Sequence, residues 1–161
     1  MSKHELFVKM ALSAWHSHNE RVNKLLEQLS DAQLHAETAA GRNTGIYLLG
    51  HLTAVNDALL PLLGLGERMY PQLDVAFIDN PDKSNQRMPS IAILKECWRS
   101  VNARLTEQMN QLSPEDWFAR HTAVSEEDFA KEPHRNRLNV ILNRTNHQSY
   151  HLGQLTYLLK K

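Results

Sequence analysis

The chain has 161 residues, 42% hydrophobic and 22% charged, with 18 Lys plus Arg against 18 Asp plus Glu and a sequence pI of about 7.1. These proportions suit one folded domain over residues 1–161, exclude a disordered chain, and offer no broad basic field for nucleic acid. Cys97 is the single cysteine, so an internal disulfide and a multi-thiolate metal site are both excluded.

No apolar run reaches the roughly 18 residues of a membrane span, so no membrane partner is expected. Met1-Ser2-Lys3-His4-Glu5 leads straight into an amphipathic pattern and not into a secretory signal, from which a cytoplasmic location is expected.

The first helix is predicted from about His4 to Leu29. Ser2 and Glu5 form a capping box, and Phe7, Met10, Ala11, Ala14, Trp15, His18, Val22, Leu25, Leu26 and Leu29 recur at helical spacing. His18 lies near that stripe, and His16 is expected to face solvent. Ser30 with Gln33 caps a short turn after the helix, and Leu112-Ser113-Pro114-Glu115-Asp116-Trp117 repeats the form of that ending.

After Gly41-Arg42, with Asn43 or Thr44 as cap, a second helix is predicted to about Leu63, with Leu48, Leu52, Val55, Leu59 and Leu62 on one broad face. Glycines and prolines then break any long helix between Gly64 and Pro89, and Asp79-Asn80-Pro81-Asp82 reads as a turn. This connection is long enough to let the third helix run parallel to the second. Its apolar Leu65, Met69, Tyr70, Val75, Phe77 and Ile78 predict that it packs down onto the bundle.

The third helix is predicted from about Ser90 to Leu112, with Ile91, Leu94, Trp98, Val101, Leu105 and Met109 as its stripe and Cys97 as a core residue at its edge. Ser125-Glu126-Glu127-Asp128 reads as a solvated loop. The fourth helix is predicted from about Asn136 to Leu159, with Leu138, Ile141, Leu142, Thr145, Leu152, Leu155 and Leu159 facing inward. Four long helices and no strand predict an all-α four-helix bundle with long crossover loops.

His147 and His151 fall on one face of the fourth helix, about 40° and one turn apart. Two imidazoles so placed can reach one metal ion, and a tetrahedral site needs a further ligand from another helix. His51 is the candidate, because it sits among apolar positions of the second helix, where an imidazole needs a partner. A hydrogen bond would satisfy it as well as a metal would. Spacing alone therefore leaves two readings, metal ligands or hydrogen-bonded core histidines.

Gly50-His51-Leu52, preceded by Tyr47, together with His147-Gln148-Ser149-Tyr150-His151-Leu152-Gly153-Gln154-Leu155, resembles the DinB/YfiT-like metal-binding superfamily in wording, order and separation. The resemblance implies a DinB-like bundle of up-down-down-up order. It also implies a homodimer and a divalent metal ion, zinc or nickel first, held by His51, His147 and His151 with no fourth protein ligand. Leu152, where related sequences often carry a basic residue, and Tyr47, where Trp is common, depart from the pattern without removing a ligand.

Three imidazoles would leave the ion's charge uncompensated and a position open, as in catalytic sites. Characterised relatives use low-molecular-weight thiols such as bacillithiol or mycothiol. The resemblance therefore implies a metal-dependent thiol S-transferase or related detoxifying enzyme, acting on a small-molecule substrate with such a thiol as cosubstrate. Metal-dependent hydrolysis and a non-catalytic metal-binding or stress-response dimerisation module stay open as alternatives, and no catalytic residue is assigned. Tyr47, Asn56, Asn146, Tyr150 and Gln154 are candidates to receive the ligands' second ring proton. Asp57, about 120° from His51 around the helix, is left outside the site.

Overall fold

The fold, a computed structural model describing residues 1–160, is built from α1 (Lys3–Gln28), α2 (Asp31–His35), α3 (Gly45–Asp57), α4 (Leu59–Leu62), α5 (Asp74–Phe77), α6 (Ile91–Met109), α7 (Glu126–Lys131) and α8 (Arg137–Thr156), with 3-10 turns at Pro71–Leu73, Asp116–Phe118 and Tyr157–Lys160. Each long helix starts at a side chain that accepts an N–H from its own first turn: Ser2, Thr44, Ser90 and Asn136. Each such cap stabilises its helix start by about 1 kcal/mol. Ser2 with Glu5 and Ser30 with Gln33 both close as capping boxes.

Polar pairs across the bundle fix the helix directions. Trp98 Nε1 donates to Asn23 Oδ1 at 2.8 Å and Lys95 Nζ to the Leu26 carbonyl at 3.0 Å, so α1 and α6 run oppositely. Gln148 Nε2 donates to Asn19 Oδ1 at 2.8 Å, and Gln33, just beyond α1, reaches the carbonyl of Leu158, just beyond α8, so those two helices run together. His51 meets His147, whereas Gly45 lies against Leu158, so α3 runs against α8. It follows that α3 and α6 are parallel, and the long segment between them crosses the length of the bundle.

The inward stripes differ from expectation at the ends. Phe7 and Met10 are each 60% exposed, and Val8 takes the inward place ahead of Ala11, Trp15 and Val22. On α8 Leu142 is exposed, and in the last turns Leu159 is exposed and Leu158 is buried. The chain tightens there from α to 3-10, advancing about 120° per residue, which brings Leu158 under Leu155 and swings Leu159 out. His16 is half-buried, not solvent-facing.

The predicted second helix breaks at Ala58. Pro61 has no N–H to give to the carbonyl four residues back, so α3 ends at Asp57 and α4 begins anew. Nor does α3 have a single inward face: within Gly45–Asp57 every residue except His51 is buried, because other elements surround it. The acidic run at 126–128 forms α7 and not a loop, capped by Ser125, with its carboxylates at the positive end of the helix.

The crossover segment packs down through Leu65, Leu73, Ala76 and Phe77, while Met69, Val75 and Ile78 stay exposed. Fully buried Asp57 anchors it, accepting the N–H groups of Met69 at 2.8 Å and Tyr70 at 3.0 Å and Arg68 Nε at 3.2 Å. Arg68 also reaches Asp74 through Nη2, at 2.6 Å. This places Asp57 in the loop's anchor, outside the histidine cluster.

Candidate metal centre

Gly50 sets the approach of the crossover segment to α3. A Cβ there would collide with the buried Phe77 ring, so only glycine lets α5 lie this close. The contact delivers the Phe77 carbonyl to His51, with Nδ1 and oxygen 2.8 Å apart. A carbonyl only accepts, so Nδ1 carries the proton and the Nε2 lone pair is free. On α8, His151 Nδ1 lies 2.7 Å from Gln154 Oε1, which fixes the same tautomer.

His147 lies between them, its Nε2 3.1 Å from Nε2 of both His51 and His151. Ligand atoms of the three histidines all fall within 4.8 Å of one another. A single proton on His147 Nε2 could serve one neighbouring lone pair and would leave the other facing it at close range. A cation among the three serves all of them. Imidazole nitrogens 2.0–2.1 Å from a tetrahedral ion stand roughly 3.3–3.4 Å apart, close to the spacing found. The arrangement therefore fits a metal ion, and the three histidines are positioned to bind one.

Electrostatics favour the neutral imidazoles that metal binding requires. Burial, followed by the charges of His151, His51 and Arg144, lowers the His147 pKa to about 4. Burial also lowers His51, with Arg144 adding to the effect and the Phe77 carbonyl opposing it. For His151 burial again leads, opposed by the bond to Gln154. The three residues are mostly buried, each keeping a part of its surface exposed.

Of the residues considered as partners for the ligands, Gln154 bonds a histidine directly. The Tyr47 ring lies nearly parallel to His51, with centroids 6.2 Å apart, and its hydroxyl donates to the Asn80 carbonyl at 3.0 Å. Tyr150 stands edge-on to His151 at 5.1 Å. Asn146 is exposed, and Asn56 turns away to Asn102 and Gln148. Sequence reasoning missed the Phe77 carbonyl, since a backbone acceptor has no residue signature. The spacing puts Arg144 on the face of His147 and His151, but sequence reasoning gave it no role. Cys97 is a buried core residue, as expected, and burial pushes its thiol pKa up.

Fold and site together define an all-helical bundle with a three-histidine cluster positioned for a metal ion. Residues 14–155 match the DinB superfamily, and the chain belongs to that superfamily. Among solved structures, a conserved protein from Enterococcus faecalis superposes with a TM-score of 0.64 at 16% sequence identity, covering 99% of this chain and 96% of that one. At that identity the likeness concerns the fold alone. No curated protein matches the chain significantly.

Proposed function

We propose that the protein is a divalent-metal-dependent enzyme that transfers a low-molecular-weight thiol to a small-molecule electrophile, with His51, His147 and His151 holding the metal and zinc or nickel as the first candidates. The observation that carries this reading is the approach of three Nε2 atoms to one another with no fourth protein ligand beside them among the described residues. A divalent ion in such a site keeps its full charge and an open position, which acidifies a thiol or water toward neutral pH.

The protein's own part is orientation and access. Phe77 and Gln154 hold the outer ring protons of His51 and His151, which keeps both rings turned inward. The partial exposure of the three histidines supports entry of a substrate from solution, which a sealed structural site would not allow. A homodimer in the cytoplasm belongs to the same reading. Among the described residues no helix is long and apolar enough to cross a membrane.

Metal analysis of untagged protein, wild type beside His51→Ala, tests the site. About one ion per chain, lost in the variant, is expected, together with thiol conjugation of an aryl halide that disappears in His147→Ala. Metal without conjugation would favour a non-catalytic module. An absence of metal in both proteins, persisting after dialysis against zinc or nickel, would refute the reading.

A further inference from the structure

Arg144 lies on α8 three residues before His147 and seven before His151, about 60° and 20° away around the helix axis, so it shares their face. One helical turn before His147 on that shared face, its side chain is a neighbour of the cluster. The side chain is largely desolvated, and its Nε is buried with no hydrogen-bond partner. Among the described residues Arg144 takes part in none of the ion pairs, so no carboxylate offsets the lost hydration.

Other partly buried cations of the molecule are treated differently. Arg68 is held by Asp57 and Asp74, and Arg137, whose Nε is likewise unpaired, still donates through Nη1 to the Asp116 carbonyl. Among the described residues no carboxylate joins the three-histidine group either. Once a divalent ion is bound, the site is strongly positive with no acidic side chain to balance it. Desolvating an unpaired charge is costly, and an anion brought in by a ligand removes the cost.

We propose that Arg144 is the seat for a carboxylate carried by the small molecule that enters at the three histidines. The inference rests on the proposed reaction of a small-molecule substrate at this site and names a chemical group which that substrate carries. A guanidinium offers two parallel N–H groups that match the two oxygens of a carboxylate. A phosphate would present a third oxygen beyond the two that one guanidinium pairs. The carboxylate binds at Arg144 while the rest of the molecule reaches toward the histidines one and two turns further along α8. Arg144 therefore selects acidic ligands over neutral ones of the same shape.

The test separates this assignment from the metal reading. Metal-free protein is first titrated with zinc alone, which reads the three-histidine site. Zinc-loaded protein is then titrated with 3-mercaptopropionate and with 3-mercaptopropanol, and metal-free protein with propionate and with propanol, following binding by calorimetry or NMR. Charged hydrogen bonds of this kind correspond to a preference of about tenfold or more for the acid in each pair. The preference should largely vanish in Arg144→Gln and be partly kept in Arg144→Lys, with one zinc per chain still taken up by both. Equal binding of acid and alcohol by wild type, or a preference that survives Arg144→Gln, overturns the assignment. Failure of zinc uptake refutes the metal site at the first step, and the propionate comparison still decides Arg144. If Arg144→Gln does not fold, the reduced preference of Arg144→Lys carries the test.

Discussion

Replacing Gly50 by alanine is the sharpest probe of how the fold builds the cluster. In an open helix position the change is favourable by about 1 kcal/mol, because glycine is the poorer helix former. At Gly50 the added methyl meets the ring of Phe77, which is fully buried and has no room to retreat. Overpacking of this kind costs about 1–3 kcal/mol. Moving Phe77 also pulls its carbonyl from His51 Nδ1 and loses a hydrogen bond contributing about 1 kcal/mol. The sum is a net loss of about 1–3 kcal/mol, read as a lower urea midpoint at unchanged slope. Gly153→Ala is the control: Gly153 is exposed on α8 with nothing within 4 Å of an added Cβ, so this variant should gain about 0.5–1 kcal/mol. Zinc affinity should fall about 10–100-fold in Gly50→Ala, as when an outer partner of a ligand is lost, and stay unchanged in Gly153→Ala. Equal stability and equal zinc affinity for the two variants would refute both the packing argument and the role given to the Phe77 carbonyl.

Two further outcomes follow from the same structure. Asp57→Ala removes the acceptor for Arg68, Met69 and Tyr70 from a fully buried position and should cost about 3 kcal/mol, with faster amide exchange at Met69 and Tyr70. An unchanged melting temperature would remove Asp57 as the anchor of the crossover. Metal-free protein should lose stability on the acid side: the cluster imidazoles have folded pKa values below 6.5, His147 at about 4, so between these values the unfolded chain binds protons that the fold excludes. Stability from this source is fully present above about pH 6.5 and falls as pH drops toward about 4. Melting curves should show a smaller fall in His147→Asn, and an identical fall would count against the depressed imidazole.

The helices were legible because their signals are local. Ser2 with Glu5, Ser30 with Gln33, Ser90 and Asn136 each act within one turn, and each caps the helix expected of it. The stripe of α6 was readable for the same reason, since one face is core and the other is solvent. Environment around α3 was not readable. A stripe argument assumes one wet face, whereas α3 is covered by α2, α5, α6 and α8, so apolar and small residues occupy every side. Val75 and Ile78 misled in the opposite direction: their hydrophobicity predicted packing, but four residues of α5 can bury only the side that carries Ala76 and Phe77.

In the site, the spacing of His147 and His151 is a property of one helix, and their pairing with His51 came from the wording around it. What holds α8 in rotation is not local. Gln148 reads as one more polar residue beside a ligand, yet it is fully buried, donating to Asn19 at 2.8 Å while Asn56 reaches its Oε1 at 3.4 Å and Asn102 at 3.0 Å. That chain of amides touches α1, α3, α6 and α8. Apolar contacts tolerate a small turn of a helix, but a buried amide network leaves donors and acceptors stranded when any member rotates. Gln148 is the neighbour of His147 in sequence, so the rotation that satisfies the amides is also the one that turns His147 and His151 toward His51. The network thus links the register of the bundle to the convergence of the three Nε2 atoms.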